Sequence, residues 1–367
     1  MNFICRKSEL SEAISNVSRA VPQKSTIQAL EGIKVRVTPG TVELTAYNLE
    51  MGIRTAIKAD TNDSCEFVVD ARLFSEFTKK MAGEDITVEI DGNNTVRISS
   101  EAAECTFSVM SAEEYPDLPV VDSKRSFTVQ QNILRSMINM TGYAVSQNES
   151  KPIFTGELFD IEGGTFTLVA IDGFRLAIRT EAIDNDEKFN FVVPKKALQE
   201  VSTLIREDST ENCTISVNDR HIIFEINGFF VISRLLEGAF HNYKMSIPNG
   251  HKTEIFVSKK DFSACLERCS LIINEKNKAP VRCEIGGGVM KISCKTGIGK
   301  VNDAISADIT GETVTIGFNN RLVLEALRAA EGDKVRIRLN GAMKVIEILP
   351  PMGESYIFLV MPIQLKN

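Results

Sequence analysis

Residues 3–10 read FICRKSEL, a short apolar strand pattern that turns polar and then enters a helical pattern. The same order returns 124 positions later as FTVQQNIL at 127–134, and a further 128 positions on as IFVSKKDF at 255–262. A second strand-to-helix element repeats as FVVDARL at 67–73, FVVPKKA at 191–197 and IGFNNRL at 316–322. A third repeats as LTAYNLEM at 44–51, LVAIDGFR at 168–175 and, more weakly, ISCKTG at 292–297. All three elements share the offset of 124 residues between the first two copies and recur once more near that spacing. They indicate three tandem copies of a unit near 120 residues.

Turn-forming stretches that contain proline separate the copies. EYPDLP at 114–119 closes the first copy, and NYKMSIPNG at 242–250 closes the second. A chain of 367 residues is also long enough for two or three domains, at roughly 100–200 residues per domain. We predict three domains, at residues 1–121, 122–249 and 250–367.

Within each copy the order of strand, helix and several strands occurs twice. Apolar residues at helical spacing predict the helices, as in Leu10, Ile14, Val17 and Val21, or Leu198, Val201, Leu204 and Ile205. Alternation predicts strands at 86–90 and 335–339, and Asp91-Gly92 and Asn340-Gly341 after them are hairpin signals. We predict an α+β fold in which each copy packs two helices on antiparallel sheets of roughly eight strands.

The net charge of −7 argues against a nucleic-acid ligand only if the charge is spread evenly, because phosphate binding needs Lys and Arg. The six predicted helical segments carry about +5 in sum, so the rest of the chain carries about −12. This segregation favours a basic layer that faces phosphate inside an acidic protein. The alternative is that helix surfaces are simply rich in Lys and Arg.

Motifs for metal, cofactor or catalysis are missing from the sequence. The eight cysteines form no C-x-x-C pair and the three histidines lie far from any such pattern, which predicts reduced thiols, no metal site and a cytoplasmic protein. Residues 294–301 fail as a phosphate loop because Cys294 replaces the first glycine and Val301 the hydroxyl residue. The carboxylates of Asp172 and Glu157 are the nearest approach to an acid/base pair, and we expect a binding protein, not an enzyme. We expect no cofactor.

The repeat order resembles the bacterial sliding clamp family, the β subunit of DNA polymerase III, over the whole chain. The residues that carry the resemblance are AIDGFRLA at 170–177, GFN at 317–319, NEK at 274–276 and VMP at 360–362. The resemblance implies a processivity factor: a homodimer of three-domain protomers closed head to tail into a ring around duplex DNA, without sequence preference and without a membrane. It also implies tethering of the DNA polymerase III catalytic subunit, the clamp loader, other polymerases and repair proteins.

The same resemblance implies three groups of functional residues. The DNA-facing positions are Lys24, Arg72, Asn148, Lys195 and Lys196, where ordinary solvated surface is the alternative for the first two. The seam of the ring pairs Cys105 and Phe107 of the first domain with Leu271 and Ile272 of the third. A hydrophobic groove for short peptides is expected at Phe154, Ile171, Gly173, Phe174, Arg175, Leu176, His241, Met245, Ser246, Asn319, Leu322, Leu359, Val360 and Met361.

Two of these groove positions depart from the family pattern, since His241 stands where proline is usual and Met245 where arginine is usual. We expect the groove to survive with an altered preference, because methionine adapts to binding surfaces. Core packing is the alternative role for Phe154, Leu322 and Leu359. The competing hypotheses for the whole chain are a repeat-built interaction scaffold that never encloses DNA and an enzyme with an unrecognised site.

Overall fold

The computed structural model describes residues 1–91, 94–122, 124–274 and 276–365. Within them the chain forms six α-helices, two in each copy of the repeat. These are α1 (Lys7–Val17), α2 (Ala71–Lys80), α3 (Gln131–Thr141), α4 (Lys195–Leu204), α5 (Lys259–Ser270) and α6 (Asn320–Ala329). Short 3₁₀ helices occupy Ser18–Ala20, Gln28–Glu31, Gly142–Ala144, Pro152–Thr155 and Tyr243–Ser246.

The described strands number eight, eight and nine in the three copies, in agreement with the predicted count. The first copy has β1 (Asn2–Arg6), β2 (Gly32–Thr38), β3 (Thr41–Tyr47), β4 (Met51–Lys58), β5 (Cys65–Asp70), β6 (Asp85–Ile90), β7 (Thr95–Ser100) and β8 (Ala103–Ser108). The second has β9 (Arg125–Gln130), β10 (Gly156–Glu162), β11 (Thr165–Ile171), β12 (Arg175–Ala182), β13 (Phe189–Pro194), β14 (Asn212–Val217), β15 (His221–Ile226) and β16 (Phe229–Arg234). The third has β17 (Thr253–Ser258), β18 (Val281–Gly286), β19 (Val289–Thr296), β20 (Gly299–Ser306), β21 (Asp308–Gly311), β22 (Val314–Phe318), β23 (Lys334–Leu339), β24 (Ile346–Leu349) and β25 (Tyr356–Val360).

The chain divides into two compact units that cut across the repeats. The first unit comprises Met1–Arg135 and Lys196–Leu235, and the second comprises Ser136–Lys195 and Leu236–Asn367. The first unit holds a four-stranded sheet, β1-β6-β7-β8, and an eight-stranded sheet, β5-β2-β3-β4-β16-β15-β14-β9. The second holds a nine-stranded sheet, β13-β10-β11-β12-β25-β24-β23-β17-β21, and a four-stranded sheet, β20-β19-β18-β22. Consecutive copies therefore share a sheet, through the β4–β16 pair in the first unit and the β12–β25 pair in the second.

Apolar helix faces build the core as predicted. Leu10, Ile14 and Val17 of α1 are fully buried, and α1 packs against α2 and the strands β3 and β4. The predicted periodicity extended to Val21, but α1 ends at Val17. The Ser18 hydroxyl donates to the Ile14 carbonyl at 2.6 Å, which tightens the chain into a 3₁₀ turn there.

The threefold repeat extends to individual backbone hydrogen bonds. In each copy the first residue of the first helix donates its N–H to the carbonyl of the residue directly before the strand that follows the second helix. The donor and acceptor are Lys7 and Glu84, Gln131 and Glu211, and Lys259 and Asp333, each pair at 2.8 Å. Identical bonds at three matching places show that the sequence repeat is a structural repeat.

One predicted hairpin is confirmed with a longer connection, because β23 and β24 pair antiparallel but residues 340–345 join them. Gly341 adopts a φ of 104° in that loop, a conformation that favours glycine. The other hairpin signal, Asp91-Gly92, includes Gly92, which lies outside the described residues.

All eight cysteines are free thiols, and six of them are buried. Cys265 and Cys269 lie on the core face of α5, as their spacing predicts. Among the described residues, no group of three or more His, Cys, Asp or Glu side chains is arranged to hold a metal ion. None of the described helices is both long and apolar enough to cross a membrane.

Candidate functional site

An open groove of about 360 Å³ lies in the second unit, where β12 and β25 join the second and third copies. Its floor is a row of three side chains set by strand register: Ile171 on β11 is opposite Leu176 on β12, which is opposite Leu359 on β25. Directly opposed residues point to the same face of a sheet, so the row forms one apolar surface. Its lining residues are Lys151, Phe154, Ile171, Gly173, Phe174, Arg175, Leu176, His241, Ser246, Val345, Leu359 and Met361.

A tight turn between β11 and β12 forms one wall. One oxygen of Asp172 accepts from the backbone N–H groups of Phe174 (2.9 Å) and Arg175 (3.0 Å). Gly173 adopts a φ of 92°, which only glycine takes without strain, and this turns the Phe174 side chain outward. The Phe174 carbonyl accepts from the Met361 N–H at 2.9 Å, so the turn is tied to the end of β25.

The Arg175 side chain is only 8% exposed, and its charge is neutralised within the protein. Its Nε donates to the second oxygen of Asp172 at 2.8 Å, and its Nη1 donates to Glu325 on α6. The guanidinium also lies over the Tyr143 ring, 5.0 Å from its centroid. Arg175 therefore stabilises the groove wall from inside the protein. Its buried charge is compensated by the carboxylates of Asp172 and Glu325.

The opposite rim is the 3₁₀ helix Tyr243–Ser246, which polar contacts hold against the sheet. The Tyr243 hydroxyl donates to Asp160 at 2.7 Å, and Lys244 donates to Glu162 at 2.9 Å. Hydrogen bonds from Lys188 and Lys244 lower the pKa of the Glu162 carboxyl to about 2. The carboxylate that holds Lys244 is therefore charged at neutral pH. At the top of the rim, His241 Nε2 lies 3.0 Å from the Ser246 hydroxyl.

Exposed apolar side chains surround the groove. Phe174 is 67% exposed, Met361 48% and Met245 82%. Phe154 packs edge-on against Phe240, with ring centroids 5.5 Å apart. A cluster of large, accessible apolar side chains beside a preformed cleft is typical of a binding site.

The structure brings ten of the fourteen expected groove residues to this lining, namely Phe154, Ile171, Gly173, Phe174, Arg175, Leu176, His241, Ser246, Leu359 and Met361. The other four are not among the lining residues. Met245 is on the solvent side of the rim, and Asn319 caps α6 by accepting from the Arg321 N–H at 3.0 Å. Leu322 and Val360 are buried in the core of the second unit.

Sequence reasoning missed Lys151 and Val345, which also line the groove. Lys151 directly precedes the 3₁₀ helix Pro152–Thr155, and its Nζ lies 5.9 Å from the centroid of the Phe154 ring, a contact that no sequence motif indicated. Val345 precedes a strand at the end of a long loop, and no sequence signal indicated its place.

The residues expected to face DNA are mostly accessible. Lys24, Arg72, Asn148 and Lys196 are exposed and Lys195 is half-buried. Lys24, Arg72 and Lys196 have no ion-pair partner within the described ranges. The six observed helices still carry +5 in sum, and the remaining residues −12.

The residues expected at the ring seam lie at a sheet edge in the first unit and at the end of a helix in the second. Cys105 and Phe107 are half-buried on β8, the last strand of its four-stranded sheet, and Phe107 stacks on Phe77 with centroids 5.6 Å apart. In the second unit, Leu271 follows the end of α5 and is 78% exposed, whereas Ile272 packs partly on the core.

The two carboxylates considered as an acid/base pair are structural. Asp172 is held by the turn and by Arg175. Glu157 is fully buried and accepts from the Thr141 hydroxyl, and burial raises the pKa of its carboxyl to about 8. Neither side chain lines the groove.

Fold and groove together define a binding protein built from tandem α+β repeats, and comparisons with known proteins agree. The family models described as the DNA polymerase III beta subunit match in order: the N-terminal domain at residues 1–119, the central domain at 128–242 and the C-terminal domain at 244–364. The beta sliding clamp of Bacillus subtilis is 31% identical over 99% of this chain and 100% of its own length.

Solved structures give the same result. The DNA polymerase sliding clamp of Bacillus subtilis superposes with a TM-score of 0.95 at 30% identity, over 100% of both chains. A DNA polymerase III beta subunit described as putative, from Eubacterium rectale, gives 0.94 at 30% identity over 99% of each chain. The chain belongs to the DNA polymerase III β subunit family, the bacterial sliding clamps. It is therefore a non-catalytic DNA polymerase processivity factor, and the resemblance drawn from the sequence is confirmed.

Proposed function

We propose that two copies of this chain close head to tail around duplex DNA, and that the groove holds peptides of the proteins tethered there. The occupants are extended segments of the DNA polymerase III catalytic subunit, the clamp loader, other polymerases and repair proteins. Each copy contributes three domains, at residues 1–121, 122–249 and 250–367. The site of action is the cytoplasm, in keeping with eight free thiols.

The open apolar groove is the observation that carries the proposal. Its floor of Ile171, Leu176 and Leu359 is preformed, and its few polar groups, such as His241 and Ser246, sit at the rim. Such a cleft suits an extended peptide with Leu and Phe anchors, because apolar anchors supply affinity and rim groups orient the backbone.

Two sheet edges with opposite charge support the head-to-tail contact. Glu101 and Glu104 lie exposed at and beside β8 in the first unit. In the second unit, Lys295 and Lys300 face each other across β19 and β20, and neither has a carboxylate partner among the described residues. Like charges directly opposed on a sheet are unfavourable, so an acidic strand from a second copy would relieve them while it covers the β20 edge. A contact between two different surfaces that closes after two copies gives a ring.

The contact with DNA is made by helix-layer cations on phosphates. Arg72 and Lys196 occupy the same position of the second repeat element, and both are exposed. Scattered single cations in an acidic protein suit loose, mobile, salt-sensitive contact without base recognition.

The test is retention on DNA of different topology. The clamp, loaded on nicked circular DNA, should stay bound, and it should leave once the circle is cut to a linear molecule. Equal loss from both forms would show that the protein does not enclose DNA. Sedimentation at micromolar concentration should give a dimer, and a monomer there would contradict the ring.

A further inference from the structure

Glu325 lies on α6, outside the groove lining, but it contacts a residue of the groove wall. Its carboxylate accepts from Arg175 with one oxygen, and the other oxygen lies 3.9 Å from Arg321, one helical turn away. With Asp172 this makes a row of four alternating charges that runs from the groove turn to the exposed surface of α6.

The buried guanidinium in this row depends on both of its carboxylates. Arg175 is 8% exposed, so its charge is largely removed from water. Loss of one partner of a buried ion pair leaves an uncompensated charge, which drives the side chain toward another position.

A shift of Arg175 would reach two apolar residues of the groove. Asp172 holds Arg175 and also accepts from the Phe174 backbone N–H, and the Phe174 carbonyl accepts from the Met361 N–H. The orientation of Phe174 and the end of β25 are therefore linked to the same guanidinium.

We propose that Glu325 is a positioning residue for the groove: it holds the Arg175 guanidinium, and so fixes the turn that presents Phe174 to a bound peptide. The inference rests on the proposed function, since peptide affinity is the quantity that Glu325 changes.

The first unit supplies a matched control. Glu200 occupies on α4 the position that Glu325 occupies on α6, and it pairs with Arg19 at 3.3 Å. The turn residue equivalent to Arg175 is Met51, which carries no charge. Glu200 thus forms an ion pair at the matching helix position, with an arginine that is 39% exposed and reaches no groove turn.

The experiment measures binding of a fluorescein-labelled synthetic peptide with Leu and Phe anchors to the full-length clamp, with thermal unfolding recorded in parallel. Glu325→Gln should weaken binding about tenfold, the size expected for one hydrogen bond to a charged group. Glu200→Gln should leave peptide affinity unchanged. In an Arg175→Met background, which copies Met51, Glu325→Gln should have no further effect on affinity.

The possible failures are distinct. If the unmodified clamp does not bind the peptide, the proposed function of the groove is wrong. If it binds and Glu325→Gln binds equally well, Glu325 is only a structural ion pair, whatever its effect on the melting temperature. An equal loss of affinity in the Arg175→Met background would show that Glu325 does not act through Arg175, and would overturn the inference.

Discussion

The turn at residues 48–51 and the turn at residues 172–175 have the same construction, but the first lies beside a filled junction and the second beside an open groove. Asn48 accepts from the N–H groups of residues 50 and 51 at 3.0 and 2.8 Å, as Asp172 does two and three residues on. The next residue is left-handed in both turns, Leu49 with a φ of 73° and Gly173 with a φ of 92°. Backbone geometry alone therefore does not create the groove.

The floors of the two junctions differ in side-chain size. The row Ile171, Leu176 and Leu359 has its counterpart in the row Tyr47, Gly52 and Ile232. A Leu118 methyl group lies on Gly52, so close that a Cβ there would come within 2.3 Å of it. When the linkers are aligned on Tyr115 and Tyr243, Ser246 stands where the first linker has Leu118.

The chain thus fills its first junction with its own linker, through a large residue over a glycine. At the second junction Leu176 stands where the first has Gly52, and Leu176 and Ser246 both line a groove that stays open, while Ile247 of the linker packs against the neighbouring apolar cluster. The comparison teaches that one architecture can be packed by its own linker at one junction and stay open as a groove at the other.

Filling the second junction is the strongest test of this comparison. Ser246→Leu copies Leu118 and should place an apolar side chain over the groove floor, where a peptide anchor would lie. We expect peptide affinity to fall about a hundredfold, roughly 2.7 kcal/mol, because the anchor loses its pocket. Fluorescence anisotropy measures it, with Ser246→Ala as the control, which removes the rim hydroxyl without filling the groove and should lose far less affinity than Ser246→Leu. Unchanged affinity of the leucine variant would mean that the peptide lies elsewhere.

Emptying the first junction tests the converse. Leu118→Ala removes a half-buried side chain from the cluster of Ala29, Leu30, Tyr47, Val68 and Tyr115, and should cost about 2 kcal/mol of unfolding free energy. Chemical denaturation measures the loss. Ser246→Ala, at the matching place, should cost almost nothing, and an equal cost at both places would remove the distinction between a filled and an open junction.

A second difference between the copies predicts a pH dependence. Glu157 and Thr141 stand where the first copy has the buried residues Ile33 and Val17. Burial raises the pKa of the Glu157 carboxyl from 4.5 to about 8, so the folded protein keeps a proton that the unfolded chain has lost. Glu157 therefore destabilises the fold progressively as pH rises from about 4.5 to about 8.

Glu157→Gln, which resembles the protonated side chain, should show a smaller fall in melting temperature between pH 5 and pH 8.5 than the unmodified protein. Glu347, whose pKa burial raises to about 7, acts in the same direction in both proteins and cancels in the comparison. Parallel curves for the two proteins would contradict a raised pKa at Glu157.

The smallest expected effects concern the two turns. Gly173→Ala forces a side chain into a left-handed conformation and should destabilise the protein by about 1 kcal/mol. Leu49→Gly relieves the same conformation in the first copy and should stabilise it by about 0.5 kcal/mol. Calorimetry of both variants tests whether the turns are equivalent, and effects of the same sign would show that they are not.

Sequence reasoning predicted most of the fold because its signals are local. The offset of 124 residues located matching strands and helices, and the helix charge pointed to a basic layer. It erred at details set by neighbouring structure, such as the end of α1 at Val17 and the long loop between β23 and β24.

At the site, the expected residues came from resemblance, and ten of them meet at one groove. Lys151 and Val345 were missed because neither position carries a motif. Lys151 directly precedes a 3₁₀ helix, and Val345 is the last residue of a loop. Leu322 and Val360 were expected at the groove but lie in the core, since the apolar pattern of a helix or strand does not show which buried face borders a cleft.

The sequence by itself determined the threefold repeat, the α+β class and the separation of charge between helices and the rest of the chain. These follow from hydrogen-bonding periodicity and composition, which act over short stretches. Only the tertiary structure decided which of two equivalent junctions stays open. That outcome depends on packing between distant parts of the chain, as where Leu118 covers Gly52, and volume complementarity of that kind exists only once the strands are paired.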